Sequence, residues 1–228
     1  MTTHFLIFKI VFILIFIQKY ISYSQFISDR PGIGDSPQIV LPSNLHLEYG
    51  LNFNKSNDEL SNINNEMDFA SVLLRYGLNE NAEIRFTLGY TKSNLKYNES
   101  YDGLSQIGFG TKLKICDNNG LIPQASFILL LDLPMGYKEY RPSKLEPNLS
   151  LVFENPIDEE MTLSYNIGTF WIENDVEYIF SLGLTRKILT NLDLSFEFFS
   201  RITDKNVPLD WLQFMMIYKI NDRLQIDL

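Results

Sequence analysis

Glu48, Arg75, Glu83, Arg85, Lys112 and Lys114 stand on stretches where polar and apolar residues alternate. Side chains on an extended strand point to opposite faces in turn, so all six fall on the polar faces of their strands. A short turn at 79–81 pairs Tyr76 with Ile84 and Leu74 with Phe86, which sets Arg75 opposite Arg85 with Glu83 one polar position away. The next strand runs back alongside and brings Lys112 and Lys114 to the same level, with Glu48 of the first strand within reach. Like charges directly opposed are destabilising unless countered, so four cations near two carboxylates leave two readings. Either the group draws an anionic or polar aromatic solute into a pore, or it is a salt-bridge belt stiffening a narrow lumen. The belt is the preferred reading.

Other chemistry finds little support. A serine hydrolase needs serine, histidine and a carboxyl or amide group together. Once a leader containing His4 is removed, His46 is the one histidine left, and no serine elbow accompanies it. On a polar strand face it reads as a hydrogen-bonded lumen residue rather than a metal ligand or base. No phosphate loop, metal spacing or cofactor fingerprint is present, and Gly32-Ile33-Gly34-Asp35 lies among prolines with no helix after it. The single cysteine, Cys116, excludes an intramolecular disulfide and a cysteine-clustered metal site. A formal charge of −9 argues against a nucleic-acid partner. The sequence therefore predicts neither an enzyme nor a cofactor.

The elements that must position these residues are strands. In the stretch 44–53, Leu45, Leu47, Tyr49, Leu51 and Phe53 share one face, and His46, Glu48, Gly50 and Asn52 share the other. Ten residues is about what a tilted strand needs to cross a bilayer. The pattern recurs at 68–77, 82–91, 106–115, 123–133, 147–154, 161–171, 176–187, 192–201, 209–220 and 224–228, which makes eleven segments. Leu73 falls on the wrong side of its strand. No segment carries a helical period long enough to supply a covering helix. Connections after even-numbered strands are short; those after odd-numbered strands are mostly longer and more charged, with polar loops expected at 54–66 and 92–102 and one short exception at 172–175.

Before the first strand lie two further segments. Residues 1–24 hold the apolar run Ile10 to Ile17 after Lys9, then Ser22-Tyr23-Ser24 before Gln25, the signature of a cleaved secretory leader. Its loss removes two lysines and no acids, and the charge becomes −11. Residues 25–43 carry Pro31, Pro37 and Pro42, so they form an irregular periplasmic lead-in rather than a strand.

Alternation alone does not say which face looks outward. A closed barrel of ten or more strands is too wide for side chains to fill, so an apolar interior would need a plug or a large ligand. A soluble sandwich would leave the alternation of long and short loops unexplained. Aromatics such as Tyr49, Phe53, Tyr76, Tyr90, Trp171 and Tyr178 sit toward strand ends, as an interfacial girdle would. The sequence thus predicts an all-β, antiparallel, up-and-down transmembrane barrel over 44–228, with about eleven strands visible. Its apolar face meets outer-membrane lipid, and a small-molecule solute in the polar lumen is the expected partner. No residue pattern sets an oligomeric state.

The order of these pieces resembles a known family. Asp29-Arg30-Pro31, Asp35-Ser36-Pro37 and Leu41-Pro42 with the strand Leu45-His46-Leu47-Glu48-Tyr49-Gly50 are similar to its mature N-terminus. Leu74-Arg75-Tyr76-Gly77-Leu78, Glu83-Ile84-Arg85, Gly108-Phe109-Gly110 and Leu224-Gln225-Ile226-Asp227-Leu228 extend the likeness. The family is the transporter-like outer-membrane barrels labelled as a MetA pathway of phenol degradation. The resemblance implies a bacterial outer-membrane channel or transporter, a solute of aromatic type and a twelfth, terminal strand. A narrow, non-conducting barrel acting as a surface or assembly module is the alternative.

Overall fold

Alternating β-branched, aromatic and polar residues suit a pleated surface with two unlike faces, and strands form wherever that alternation runs. The computed structural model describes residues 28–29, 34–55, 63–95, 99–173, 175–203 and 208–228. The leader expected at 1–24 lies outside them. Eleven strands follow in chain order: β1 Leu45–Lys55, β2 Ile63–Asn79, β3 Ala82–Leu95, β4 Ser100–Cys116, β5 Gln124–Asp132, β6 Glu146–Pro156, β7 Met161–Ile172, β8 Asp175–Leu189, β9 Leu192–Thr203, β10 Leu209–Asn221 and β11 Leu224–Asp227. Each pairs antiparallel with its sequence neighbour, giving one up-and-down sheet ordered β1 to β11.

The polar stretches expected as loops after β1 and β3 are shorter than the sequence suggested. β2 begins at Ile63 and β4 at Ser100, each running 17 residues. Polar residues continue the ladder there because side chains on both faces find partners, such as Asn94 Nδ2 with Asn65 Oδ1 and Thr91 Oγ1 with Asp68 Oδ1 at 2.7 Å. Three tight turns at the opposite end share one device. The side-chain oxygens of Asn79, Asp158 and Asn221 accept the backbone N–H two residues on, at 2.8, 2.8 and 2.9 Å.

The sheet is strongly curled. Asp35 is held by Arg85 of β3 and by Asn166 of β7, and its neighbour Gly34 by Glu197 of β9. Strands lie about 4.8 Å apart, so β3 and β9 would stand roughly 29 Å apart in a flat sheet. Two adjacent residues touch both because the sheet wraps around them as a half-barrel.

The curl settles which face is inside. Leu47, Leu51 and Phe53 of β1 are exposed, Phe53 at 69%, while their neighbours His46 and Glu48 are buried. Arg75, Glu83, Arg85 and Lys112 are each at most 5% exposed. Polar side chains line the concave face, and the apolar ones look out from the convex face. Leu73, out of place in the sequence pattern, is buried on the concave side.

Candidate functional site

The register that brings the charges together is the one the alternation dictates. Tyr76 pairs with Ile84, Leu74 with Phe86 and Arg75 with Arg85, while Glu83 stands opposite Lys112 on β4. The guanidinium of Arg75 grips Glu83 with two parallel bonds, Nε to Oε1 at 2.8 Å and Nη2 to Oε2 at 3.0 Å. Such a fork-to-fork pair fixes both planes as well as the charges. Its Nη1 reaches Glu48 Oε1 at 3.1 Å.

The remaining countercharges come from outside the sheet. The irregular lead-in lies inside the curl, on the concave face. Asp29 Oδ1 is 3.3 Å from Arg75 Nη1, its Oδ2 is 3.0 Å from Arg85 Nη2, and both oxygens accept from Lys112 Nζ at 2.8 Å. Lys112 spends another proton on the Ser36 carbonyl at 2.7 Å, so its ammonium is fully engaged without water. Asp35 takes Arg85 at 2.9 Å. Three cations therefore face Asp29, Asp35, Glu48 and Glu83, and all of these groups but Asp35 are buried. Burial alone would push the Asp29 carboxyl up, but Arg75, Lys112 and Arg85 outweigh it and hold the group well below the usual carboxylate range.

Backbone groups of the lead-in are satisfied by the wall in the same way. Val40 N–H donates to Glu83 at 2.8 Å, the Gln38 carbonyl accepts from Arg75 at 2.8 Å and the Pro37 carbonyl accepts from Ser126. Asp29 N–H donates to Glu48 at 3.1 Å. Pro37, Val40, Leu73, Ile128 and Val152 are all buried and supply a small apolar core among these polar contacts. A segment with so many buried, paired backbone groups is a plug, not a loose tail.

Of the six charges singled out from the sequence, five join this network, and Lys114 does not. It is partly exposed and pairs with Asp117 at 3.0 Å in the adjacent turn. His46, also buried on the concave face, stands opposite Arg75 in the β1–β2 register. The spacing missed Asp29 and Asp35, because they lie on no periodic element. The clue was a deficit: four cations against two carboxylates on the wall called for acids from elsewhere, and the lead-in carries two.

At the other end of the interior the chain between β5 and β6 turns inward. β5 is short, so Leu133 N–H and Tyr137 N–H take the free β4 carbonyls of Ile107 and Leu104 at 2.8 and 2.9 Å. Tyr137 and Tyr140 pack with Tyr101 of β4, and the Tyr140 hydroxyl donates to buried Ser93 at 2.9 Å. Burial pushes that hydroxyl's pKa up, so it stays a donor.

Comparison with known proteins bears on the role of this plugged, charge-lined interior. No curated protein matches the chain significantly. The family model described as "Putative MetA-pathway of phenol degradation" matches residues 28–228, from the plug to the last strand. This chain belongs to that family.

Proposed function

We propose that the protein is an outer-membrane β-barrel through which small solutes, aromatic ones among them, cross passively or by facilitated passage. The inverted burial carries this reading. Charged residues lie on the concave face and a continuous apolar surface lies on the convex one, as in a barrel whose outside meets acyl chains and whose inside meets water. The turns at 80–81, 117–123, 157–160, 190–191 and 222–223 then face the periplasm, and the leader at 1–24 delivers the chain there. The partners are outer-membrane lipid and a small solute, with no nucleic acid. We assign the interior no catalytic chemistry and no cofactor.

One observation favours a second reading. The plug fills the interior between Arg75, Arg85 and Lys112, which suits a narrow, non-conducting barrel that serves as a structural or surface module. Liposome swelling with small phenolics and sugars separates the two. Swelling faster than that of protein-free liposomes supports passage, and equal rates support the closed module. Recovery of the folded mature chain in the aqueous phase without detergent defeats both.

A further inference from the structure

Among the described residues the plug is anchored to β1–β5 through Glu48, Arg75, Glu83, Lys112 and Ser126, and Gly34 and Asp35 add Arg85 of β3, Asn166 of β7 and Glu197 of β9. One level beyond Gly34 and Asp35, the concave face of β7–β10 carries aromatic side chains. Phe199 of β9 stands opposite Ser181 of β8 and Trp211 of β10, so all three share the concave face, and Ser181 lies beside Gly34. The Phe199 and Trp211 rings are stacked, with centroids 4.6 Å apart and planes 19° apart. Arg201, the next lumen-facing residue on β9, stands opposite Ile179. The Phe170 ring overlies Gly168, which itself stands opposite Ile179.

Trp211 is 39% exposed on this wall and covers Phe199, which is 7% exposed. The cation beside it is unlike the plug's cations. The Arg201 side chain is 42% exposed and meets Glu177 at a loose 3.3 Å. Its fork retains N–H donors that can turn to a ligand. Flat π faces next to an accessible guanidinium match one chemical class.

We propose that this patch is a solute site for a small planar aromatic bearing a carboxylate or phenolate. The ring lies against Trp211, which is backed by Phe199, while the anionic oxygen is taken by Arg201. The inference rests on the passage reading for its purpose but not for its test. The full mature chain is refolded in detergent with Trp171→Phe, leaving Trp211 as the sole tryptophan, and its fluorescence is titrated with benzoate and with uncharged benzyl alcohol. Benzoate should quench Trp211 saturably. R201Q should weaken benzoate at least about tenfold, the loss expected of one charge-assisted contact, and leave benzyl alcohol unchanged. E177Q, which removes the competing carboxylate, should tighten benzoate, and opposite shifts in the two variants are not what general loss of fold produces. Absence of saturable quenching, or equal benzoate affinity in R201Q and the parent, overturns the site. Liposome swelling reports separately: swelling without benzoate quenching removes the site and leaves passage standing, and Arg201-dependent quenching without swelling does the reverse.

Discussion

Arg75 and Arg85 stand directly opposite each other across the β2–β3 pair, and both bind one carboxylate, that of Asp29, at 3.3 and 3.0 Å. Two guanidinium groups facing each other would repel. The structure turns that liability into a socket that only an acid from the lead-in completes.

Asp29→Asn should therefore loosen the plug. It removes one charge facing three cations in a site where Asp29 and Lys112 are both buried. Breaking a buried ion pair by deleting one partner costs about 3–5 kcal/mol. Single-channel conductance in planar bilayers should rise over the parent, and the segment around Ser36 should become open to proteolysis. Unchanged conductance together with unchanged proteolysis would mean that the segment is held without Asp29.

Arg75→Gln with Arg85→Gln should act on stability before selectivity. These side chains are at most 5% exposed and sit beneath the plug, so a passing ion does not meet them first. Glu48 would lose its arginine, and Asp29 and Glu83 would be left with Lys112 alone, a loss of several kcal/mol. The temperature at which the folded band disappears on an unheated gel should fall in the double variant. A shifted reversal potential with an unchanged unfolding temperature would restore these arginines as selectivity residues.

How much of this was legible beforehand depends on where alternation holds. The Tyr76–Ile84 and Leu74–Phe86 pairs follow from a two-residue period and a tight turn, and eleven segments became eleven strands. The plug has no period, and its partners lie far along the chain: Lys112 is 83 residues from Asp29, and Glu197 is 163 from Gly34. Two traces of it were visible, in the surplus of wall cations and in Leu73, the apolar residue on a polar face. The β9–β10 patch was hidden for a different reason. Phe196, Phe198 and Phe199 place aromatics on both faces of β9, which blurs the alternation where the lumen carries an aromatic of its own.

Gly77 is a second anchor for the plug, through space rather than charge. A Cβ there would lie 2.2 Å from the Leu41 carbonyl oxygen and 2.3 Å from that of Val40. Both are backbone atoms, and the same edge holds Ser43, whose N–H donates to the Gly77 carbonyl at 2.8 Å from a backbone with φ of 63°. Gly77→Ala must push the lead-in away, at about 1–3 kcal/mol for such overpacking. Gly120→Ala is the control: φ is 62° but nothing lies within 4 Å, so only local backbone strain of about 1–2 kcal/mol is added, far from the plug. Gly77→Ala should raise conductance, and Gly120→Ala should lower thermal stability alone.

The outward direction of the apolar face can be tested within one strand. Leu182 is at the middle of β8, opposite Tyr165 and Phe198 on the convex side, and is 42% exposed. Thr185, three residues on, points to the concave side, where its hydroxyl meets Ser195 at 2.8 Å. An arginine on the lipid face near the bilayer midplane costs about 2–4 kcal/mol, while a lumen position tolerates charge. Leu182→Arg should thus cut the yield of folding into lipid vesicles well below that of Thr185→Arg. A soluble barrel with the same register would show the opposite order, because its convex face would meet water and accept Leu182→Arg freely. The ratio of the two folding yields decides between lipid and water outside the wall.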